Sequence, residues 1–269
     1  QKSWRRLSPE LDLGGMHTFE PWTGAAAVAR LWRTQSCGAN RPWQLRWQPV
    51  CASTELGMSA WLQQQPLSAN QPRALFADRQ THGRGQLGRI WQAPIGGVWI
   101  SAAFPWSQAN RSAGILGLAV AVALAERLER RGVPVSIKWP NDLMVGERKL
   151  AGLLPRLVHR GSSVRLARIG LGLNVCNRVP REGIALLELL RPGQCNPLNW
   201  TAEVLWALDR AIALVVRADW VCSQAKSRLW ARQVRDPNTG DLWEVIGFGL
   251  DGSLELCQGS QTTTWTRWS

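Results

Sequence analysis

The sequence predicts an α/β fold, in which a mixed sheet packs against helices, followed by a small β-rich region at the C-terminal end. Between residues 45 and 173, short runs rich in valine, isoleucine and leucine alternate with helical segments. After about Trp230 the texture changes to short strand-like runs separated by turn signals such as Asp236-Pro237-Asn238 and Asp251-Gly252. These two patterns predict one large α/β domain and a smaller β-rich domain after it.

The first part of this α/β region starts with a strand at 45–50. Ser53 is an N-cap candidate for a helix at 56–65, which Pro66 ends. Apolar, partly β-branched runs then predict strands at 74–78 and 98–104.

The most clearly marked helix is residues 112–131, which are apolar for three turns and rich in arginine at the C-terminal end. Gly132 and Pro134 end it, and its apolar character requires that it lie against a sheet. Further strands are expected at 135–139, 143–145 and 164–173, then helices at 184–190 and 201–218, and C-terminal strands at 242–248 and 253–257.

Residues 1–42 show no continuous periodic spacing of apolar residues and contain several prolines. An alanine-rich stretch at 24–33 could form one short helix, but the successive amphipathic helices of a helix-turn-helix module are absent. We therefore expect a poorly ordered N-terminal extension over 1–42, a catalytic domain over 43–225 and a small β domain over 226–269.

The composition is that of a globular protein, with 45% hydrophobic and 19% charged residues. The longest apolar run, 113–125, is too short to span a bilayer, and no signal segment follows the basic residues 1–6, so we expect a cytoplasmic protein with no membrane partner. The six cysteines form no C-x-x-C pair, which argues against zinc and against a disulfide framework.

The net charge of +13 comes mostly from arginine. A general preference for arginine over lysine explains it without function, whereas an acidic partner or nucleic acid would give it a use. The sequence leaves both explanations open, and it leaves a homodimer open as well.

A glycine-rich segment at 83–89 fits the pattern G-x-G-x-x-G. A dinucleotide-binding loop of this type opens a helix, whereas this segment leads into a strand, so the pattern does not indicate a Rossmann fold. The alternatives are a plain mobile turn and a loop that closes over a polyanion with Arg84 and Arg89.

A second polar cluster consists of Ile137-Lys138-Trp139-Pro140-Asn141-Asp142-Leu143 and Arg148-Lys149-Leu150-Ala151-Gly152. Exposed turns with a charged rim would explain each piece alone. Together they place two lysines, an asparagine and an aspartate at the ends of adjacent strands. There the asparagine could form hydrogen bonds with polar groups of a ligand, a lysine could neutralise a carboxylate or phosphate, and the aspartate could assist a proton transfer.

With Ser53-Thr54 and Gly170-Leu171-Gly172-Leu173-Asn174, these motifs resemble the successive signatures of biotin protein ligases, in the short form without an N-terminal DNA-binding domain. The resemblance spans roughly residues 45–269. It implies a mixed-sheet catalytic domain like that of class II synthetases and a C-terminal SH3-like β-barrel.

The resemblance also implies two half-reactions with ATP, biotin and Mg2+. Biotin and ATP first give biotinyl-5'-AMP, and biotin is then transferred to a lysine of the biotin carboxyl carrier protein of acetyl-CoA carboxylase. Lys149 and Arg84 would stabilise charge at the reacting oxygens, and Asp142 would orient or deprotonate the incoming lysine.

Other roles follow from the same resemblance. Glu55 and Gln86 depart from well-known members, which carry asparagine and arginine there, so we leave Glu55 out of the expected site and treat Gln86 as an uncharged loop position. The expected biotin contacts are Ser53, Thr54, Gln80, Gly83, Arg84, Gly85, Gln86, Lys149 and Gly152, and the expected nucleotide contacts are Arg89, Trp91, Lys138, Asn141 and Asn174, with no metal ligand.

Two competing functions remain. Lipoate and octanoyl transferases share the catalytic architecture, but they are expected to lack the Lys138–Asp142 motif. A nucleic-acid-binding regulator would use the positive charge, but it would need an N-terminal winged helix that residues 1–44 do not resemble.

Overall fold

A computed structural model describes residues 24–35, 41–68, 71–106, 112–161 and 163–266. Its helices and strands follow one another in the order α1 (Ala25–Gln35), β1 (Gln44–Cys51), α2 (Thr54–Gln64), β2 (Arg73–Gln80), β3 (Val98–Pro105), α3 (Ala113–Glu129), β4 (Ser136–Lys138), β5 (Asp142–Val145), β6 (Arg148–Arg160), β7 (Ser163–Leu173), α4 (Pro197–Leu214), α5 (Ala218–Lys226), β8 (Gln233–Arg235), β9 (Leu242–Phe248), β10 (Leu254–Gln258) and β11 (Gln261–Trp265).

The main sheet has seven strands in the order β1-β2-β3-β7-β6-β5-β4. Strands β1 and β2 are parallel, and every other neighbouring pair is antiparallel. The predicted mixed sheet is therefore confirmed.

Helix α3 is the centre of the core. Ser112 caps it by accepting hydrogen bonds from the backbone N–H groups of Gly114 and Ile115, at 3.0 and 3.4 Å. Residues 115–125 are all buried, because this stretch contains only aliphatic side chains and glycine. Gly117 allows a close approach to the sheet, since a Cβ there would lie 3.0 Å from the ring of Pro155.

The C-terminal strands form an open four-stranded antiparallel sheet in the order β11-β10-β9-β8. The expected SH3-like barrel is not closed in the described residues, because β8 and β11 are the two edges and do not pair. The sheet is attached to the large domain by its turn at Gly252. The Trp139 indole N–H donates to the Gly252 carbonyl at 2.9 Å, and a Cβ at Gly252 would lie 2.3 Å from the backbone of Gly114.

The longest strand, β6, is absent from the sequence prediction. Its sequence has a single β-branched residue, Val158, and contains Pro155. Pro155 is tolerated because β5 pairs only with residues 148–152, so its missing N–H faces no strand on that side.

Two expected helices also differ. The helix predicted at 184–190 is wrong, because the backbone N–H groups of Leu186 and Leu187 bond to the carbonyls of Asn174 and Val175 and only a 3-10 turn forms at Leu186–Glu188. The helix predicted at 201–218 is α4, which begins at Pro197 and ends at Leu214, and α5 was not predicted.

The short helix predicted at 24–33 is confirmed as α1, which lies within the segment expected to be a poorly ordered extension. Val28 and Trp32 are buried in the main core, and α1 packs against α4. The rest of the predicted extension lies largely outside the described residues. The proposed domain boundaries stay predictions.

Helices α3 and α4 are joined by a buried ion-pair cluster. The Glu203 carboxylate, 2% exposed, accepts hydrogen bonds from Arg127 Nε and from Arg131, the latter at 2.6 Å. Because a carboxylate removed from water needs both partners, this cluster fixes how α4 lies on α3.

We expect Glu203→Gln to lower the free energy of unfolding by about 3 kcal/mol, since it leaves two arginines without their buried counter-charge. Urea denaturation measures this. Glu129→Gln is the matched control, because Glu129 pairs with Arg228 while 35% exposed and its loss should cost below about 1 kcal/mol. Equal losses for the two variants would contradict this account.

Candidate active site

A cavity of about 500 Å³ opens on one face of the main sheet, where β6 and β7 meet the glycine-rich loop and the start of α2. It brings together most of the residues expected to carry function. These are Ser53, Thr54, Gln80, Arg84, Gly85, Gln86, Arg89, Trp91, Asn141, Asp142, Lys149, Gly152 and Asn174.

The floor of the cavity consists of glycines. Gly170 and Gly172 lie on the same face of β7, and Gly152 of β6 is the register partner of Gly172. A Cβ at Gly172 would lie 2.7 Å from the Trp91 indole, and a Cβ at Gly152 would lie 3.0 Å from it. Any other residue at these positions would therefore fill the space that forms the cavity.

The Trp91 side chain covers the middle of this floor. Its ring contacts Trp99 edge-on at a centroid distance of 6.3 Å, and its Nε1 is buried with no hydrogen-bond partner among the described residues. The indole can therefore leave the floor without losing a hydrogen bond. The expected contact of Trp91 with the nucleotide stays a prediction.

Lys149 and Asp142 form an ion pair at one end of the floor, with Nζ 2.6 Å from Oδ1. Lys149 also lies 4.9 Å from the Trp91 ring centroid, and its backbone N–H bonds to the Glu182 carbonyl at 2.8 Å. These contacts direct the ammonium into the cavity.

The glycine-rich loop is a tight hairpin above the cavity. The Gly85 N–H donates to the Arg89 carbonyl at 2.8 Å, and the turn contains Leu87 at φ 54° and Gly88 at φ 74°. Arg84 and Arg89 are exposed, and neither forms an ion pair within the part of the chain that the structure describes. Two unpaired cations over a polar cavity suit a phosphate-bearing ligand.

Behind the loop, a hydrogen-bond network orders the start of α2. Ser53 caps the helix, and the Gln80 side-chain oxygen accepts from the backbone N–H of Thr54 at 2.7 Å and from its hydroxyl at 3.1 Å. The Ser101 hydroxyl donates to the Thr54 hydroxyl at 2.9 Å. The polar wall expected here from the Ser53-Thr54 motif is therefore held rigidly in place.

Glu55, which the sequence analysis left out of the site, lines the cavity. Its Oε2 lies 2.9 Å from Arg156 and 3.3 Å from the buried Arg168. Burial lowers the pKa of the Arg168 guanidinium, and the Glu55 carboxylate acts in the opposite direction. Because α2 begins directly after Ser53, the Glu55 carboxylate points inward. Glu55 was not expected in the site because well-known family members carry asparagine at this position.

The two asparagines have structural partners. The Asn141 amide donates to the Leu153 carbonyl at 2.8 Å, and Asn174 donates to the Lys149 carbonyl at 3.4 Å. Asn174 also accepts from Asn177 at 3.1 Å. Both line the cavity while they order the strands that carry Lys149 and Asp142.

Two expected site residues lie outside the cavity lining. Lys138, expected as a nucleotide contact, does not line this cavity: its ammonium lies 4.3 Å from the Trp230 ring centroid, at a separate, smaller cavity beside the C-terminal sheet. Gly83 does not line the cavity either, because its carbonyl accepts the Trp91 N–H at 2.9 Å and closes the base of the hairpin. One wall of the cavity is formed by Pro180, Glu182 and Gly183, none of which was among the expected site residues.

Among the described residues, no three histidine, cysteine, aspartate or glutamate side chains are grouped as a metal site. No described helix combines the length and apolar character needed to cross a membrane.

Known proteins resemble this chain in sequence and in fold. Residues 52–174 match the model of the Biotin/lipoate A/B protein ligase family. The bifunctional ligase/repressor BirA of Bacillus subtilis is 36% identical over 110 residues, which are 40% of this chain and 34% of that protein. The biotin--[acetyl-CoA-carboxylase] ligase of Paracoccus denitrificans is 29% identical over 138 residues, 50% of this chain and 55% of that protein.

The match spans about a third of the length of the first curated relatives. Among solved structures, the biotin protein ligase from Aquifex aeolicus in complex with biotin and ATP superposes with a TM-score of 0.68 at 24% identity, covering 84% of this chain and 96% of that one. Residues 52–174 are therefore similar to the Biotin/lipoate A/B protein ligase family, and the fold of the chain is that of the biotin protein ligases.

Proposed function

We propose that this protein is an ATP-dependent biotin protein ligase, which forms biotinyl-5'-AMP and then transfers biotin to a lysine of an acceptor protein. The observation that carries the proposal is the Lys149–Asp142 ion pair, which faces a glycine floor beneath a loop with two unpaired arginines. The relatives are ligases that act on biotin, and a structural neighbour was solved with biotin and ATP.

In the first half-reaction the carboxylate of biotin attacks the α-phosphorus of ATP, which enters as its Mg2+ complex, and pyrophosphate leaves. This step brings two anions together, so it needs cations at the reacting oxygens. Lys149 lies at the floor, and Arg84 and Arg89 project from the loop above it. These three side chains would bind and neutralise the carboxylate and the phosphates.

In the second half-reaction the acceptor lysine attacks the acyl carbon of the adenylate, and AMP leaves. A free lysine with a pKa of ~10.4 is only about one part in a thousand neutral near pH 7.4, so a carboxylate near the reacting centre assists. Asp142 lines the cavity, and its Oδ1 is ion-paired with Lys149 there. We assign it to orienting and deprotonating the incoming amine.

The glycine-rich hairpin would protect the adenylate from water. Its exposed Leu87 and Ile90 offer apolar cover, and closing over the ligand would bring Arg84 and Arg89 onto the phosphates. Trp91, at the end of the hairpin, would leave the floor as the ligand enters, since its indole makes no hydrogen bond there.

For the acceptor we propose the biotin carboxyl carrier protein of acetyl-CoA carboxylase, because the Paracoccus relative is named for that enzyme. The net charge of +13 favours docking of an acidic carrier domain. Incubation of the purified protein with biotin, ATP and the carrier should add one biotin mass to a single lysine, and an unmodified carrier would reject this acceptor.

The decisive test of the activity is exchange of labelled pyrophosphate into ATP by the purified protein. We expect exchange that depends on biotin, with little exchange when lipoate or octanoate replaces it. Exchange with lipoate alone would reassign the protein to the lipoate branch of the family, and the absence of exchange with all three acids would reject the proposed enzyme.

Lys149→Ala should lower biotin-dependent exchange by about 10²–10³-fold, because it removes one cation from the reacting oxygens. Its unfolding transition should stay close to that of the wild type, since the side chain is 31% exposed. Lys138→Ala is the matched control, because this lysine lies on Trp230 outside the cavity, and it should keep exchange within about twofold. Similar losses for the two lysines would contradict the assignment.

Asp142→Asn should slow transfer to the carrier more than it slows pyrophosphate exchange, because the amide keeps the shape but cannot accept a proton. Single-turnover transfer from preformed biotinyl-5'-AMP separates the two steps. The transfer rate of the variant should also rise more steeply with pH, as the acceptor amine loses its proton without help. Equal slowing of both steps would instead assign Asp142 to adenylate formation.

A further inference from the structure

The amide of Asn174 lies next to the glycine floor, where β7 ends. Gly170, Gly172 and Asn174 follow one another at every second position, which places them on the same face. The Asn174 backbone N–H donates to the Leu150 carbonyl at 3.0 Å, and the residue lines the cavity while 5% exposed. An amide has an oxygen that accepts and a nitrogen that donates, so what Asn174 offers a ligand depends on which of them is free.

The orientation of the neighbouring Asn177 amide is fixed by the backbone. Its Oδ1 accepts from the backbone N–H of Val175 at 3.0 Å, which only the oxygen can do. Its Nδ2 donates to the Arg178 carbonyl at 3.2 Å, which only the nitrogen can do. Because Asn177 is 6% exposed, water has little access to replace these partners. The amide of Asn177 therefore has one favourable orientation.

This orientation decides the orientation of Asn174. The Nδ2 of Asn177 also donates to Asn174 Oδ1 at 3.1 Å, and Asn174 Nδ2 lies 3.4 Å from the Lys149 carbonyl oxygen. Rotating the Asn174 amide by half a turn would set two nitrogens against each other and two oxygens against each other. The Asn174 oxygen is thus used within the protein, whereas its nitrogen has two hydrogens and one acceptor among the described residues. The second hydrogen is available to a ligand.

The segment that carries Asn177 is held in place by a close contact with Gly96. The Cys176 N–H donates to the Gly96 carbonyl at 2.8 Å, and a Cβ at Gly96 would lie 2.9 Å from the Asn177 backbone nitrogen. Gly96 has a φ of 104°, which a residue with a side chain rarely adopts. This contact keeps Asn177 beside Asn174 when a ligand enters the cavity.

We propose that Asn177 is a positioning residue, which holds the Asn174 amide so that its N–H₂ group donates a hydrogen bond to an oxygen of the nucleotide. The proposal rests on the proposed function and adds a residue to that same site. Asn177 is absent from the cavity lining, so it acts through Asn174. Asn174 bonds to the backbone of Lys149, whose ammonium also lines the cavity, and a donor near a cation suits an anionic oxygen such as that of a phosphate.

The first test is Asn177→Ser, which keeps a polar group near the Val175 N–H but removes the donor that reaches Asn174 Oδ1. Asn174 could then turn, and its N–H₂ group would no longer be held toward the ligand. In biotin-dependent pyrophosphate exchange we expect the KM for ATP to rise about 5- to 15-fold, the effect of one hydrogen bond, with kcat and the KM for biotin within about twofold of the wild type. An unchanged KM for ATP would overturn the proposal.

A double-mutant cycle separates positioning from a general structural role. In an Asn174→Ala background no amide remains to be oriented, so Asn177→Ser should change the KM for ATP by less than about twofold there. Its cost in thermal stability should persist in both backgrounds, because the Val175 and Arg178 contacts do not involve Asn174. The same rise in KM in both backgrounds would contradict action through Asn174.

A second variant, Asn174→Asp, tests whether the ligand needs a donor. One carboxylate oxygen would still accept from Asn177, while the other would replace the N–H₂ group and oppose an oxygen of the nucleotide. We expect the KM for ATP to rise by more than about 15-fold, since a donor is exchanged for a negative charge. A KM equal to that of the wild type would show that no donor acts there and would overturn the proposal.

Asn196→Ala is the matched control. Asn196 also accepts from a nearby backbone N–H, that of Leu198 at 2.8 Å, but it caps α4 and is absent from the cavity lining. Its loss should lower the Tm while the KM for ATP stays within about twofold. If Asn177→Ser does not fold, Asn174→Asp decides. No exchange with biotin in the wild type would reject the proposed function, and the inference with it, whereas an active wild type with unaffected variants would reject the inference alone.

Discussion

The close approach of other groups to the backbone of β6 and β7 is the constraint on which the site depends. Gly152, Gly170 and Gly172 bring no side chains to this face, so the Trp91 indole and the Glu55 carboxylate can lie directly on the sheet. A β-carbon at Gly172 would overlap the indole. In a core that is otherwise close-packed, leaving side chains out is the simplest way to make a cavity on a sheet. The polar groups around it then have room to meet a ligand.

The rigidity of the surrounding core allows this empty space to persist. Helix α3 fills the other side of the sheet with aliphatic side chains, and the ion-pair cluster at Glu203 fixes α4 on α3. The polar groups of the site are supported in the same way, since Asn141 and Asn174 bond to the backbone of the strands that carry Lys149 and Asp142. Within the part of the chain that the structure describes, the hairpin with Arg84 and Arg89 has no such ion-pair support, which suits its proposed closure over a ligand.

The two ends of the cavity carry different charged groups. The pair Lys149–Asp142 and the cluster Glu55–Arg156–Arg168 each combine both signs of charge, but they leave different groups facing the floor. The Lys149 ammonium lies at the Gly152 end of the floor, and the Glu55 carboxylate lies at the Gly170 end.

The sequence by itself determined the mixed α/β class, the cap at Ser53, the long apolar helix and the motifs that meet in the cavity, because periodicity, capping and glycine placement are local properties. Tertiary structure alone decided the course of β6, which its composition does not favour and which pairing on both sides stabilises. It also decided the direction of side chains. Lys138 is the register partner of Asp142, yet its ammonium is held by Trp230, a residue far along the chain, while Glu55 is drawn inward by Arg168. Such choices depend on contacts between distant segments, which local sequence patterns do not encode.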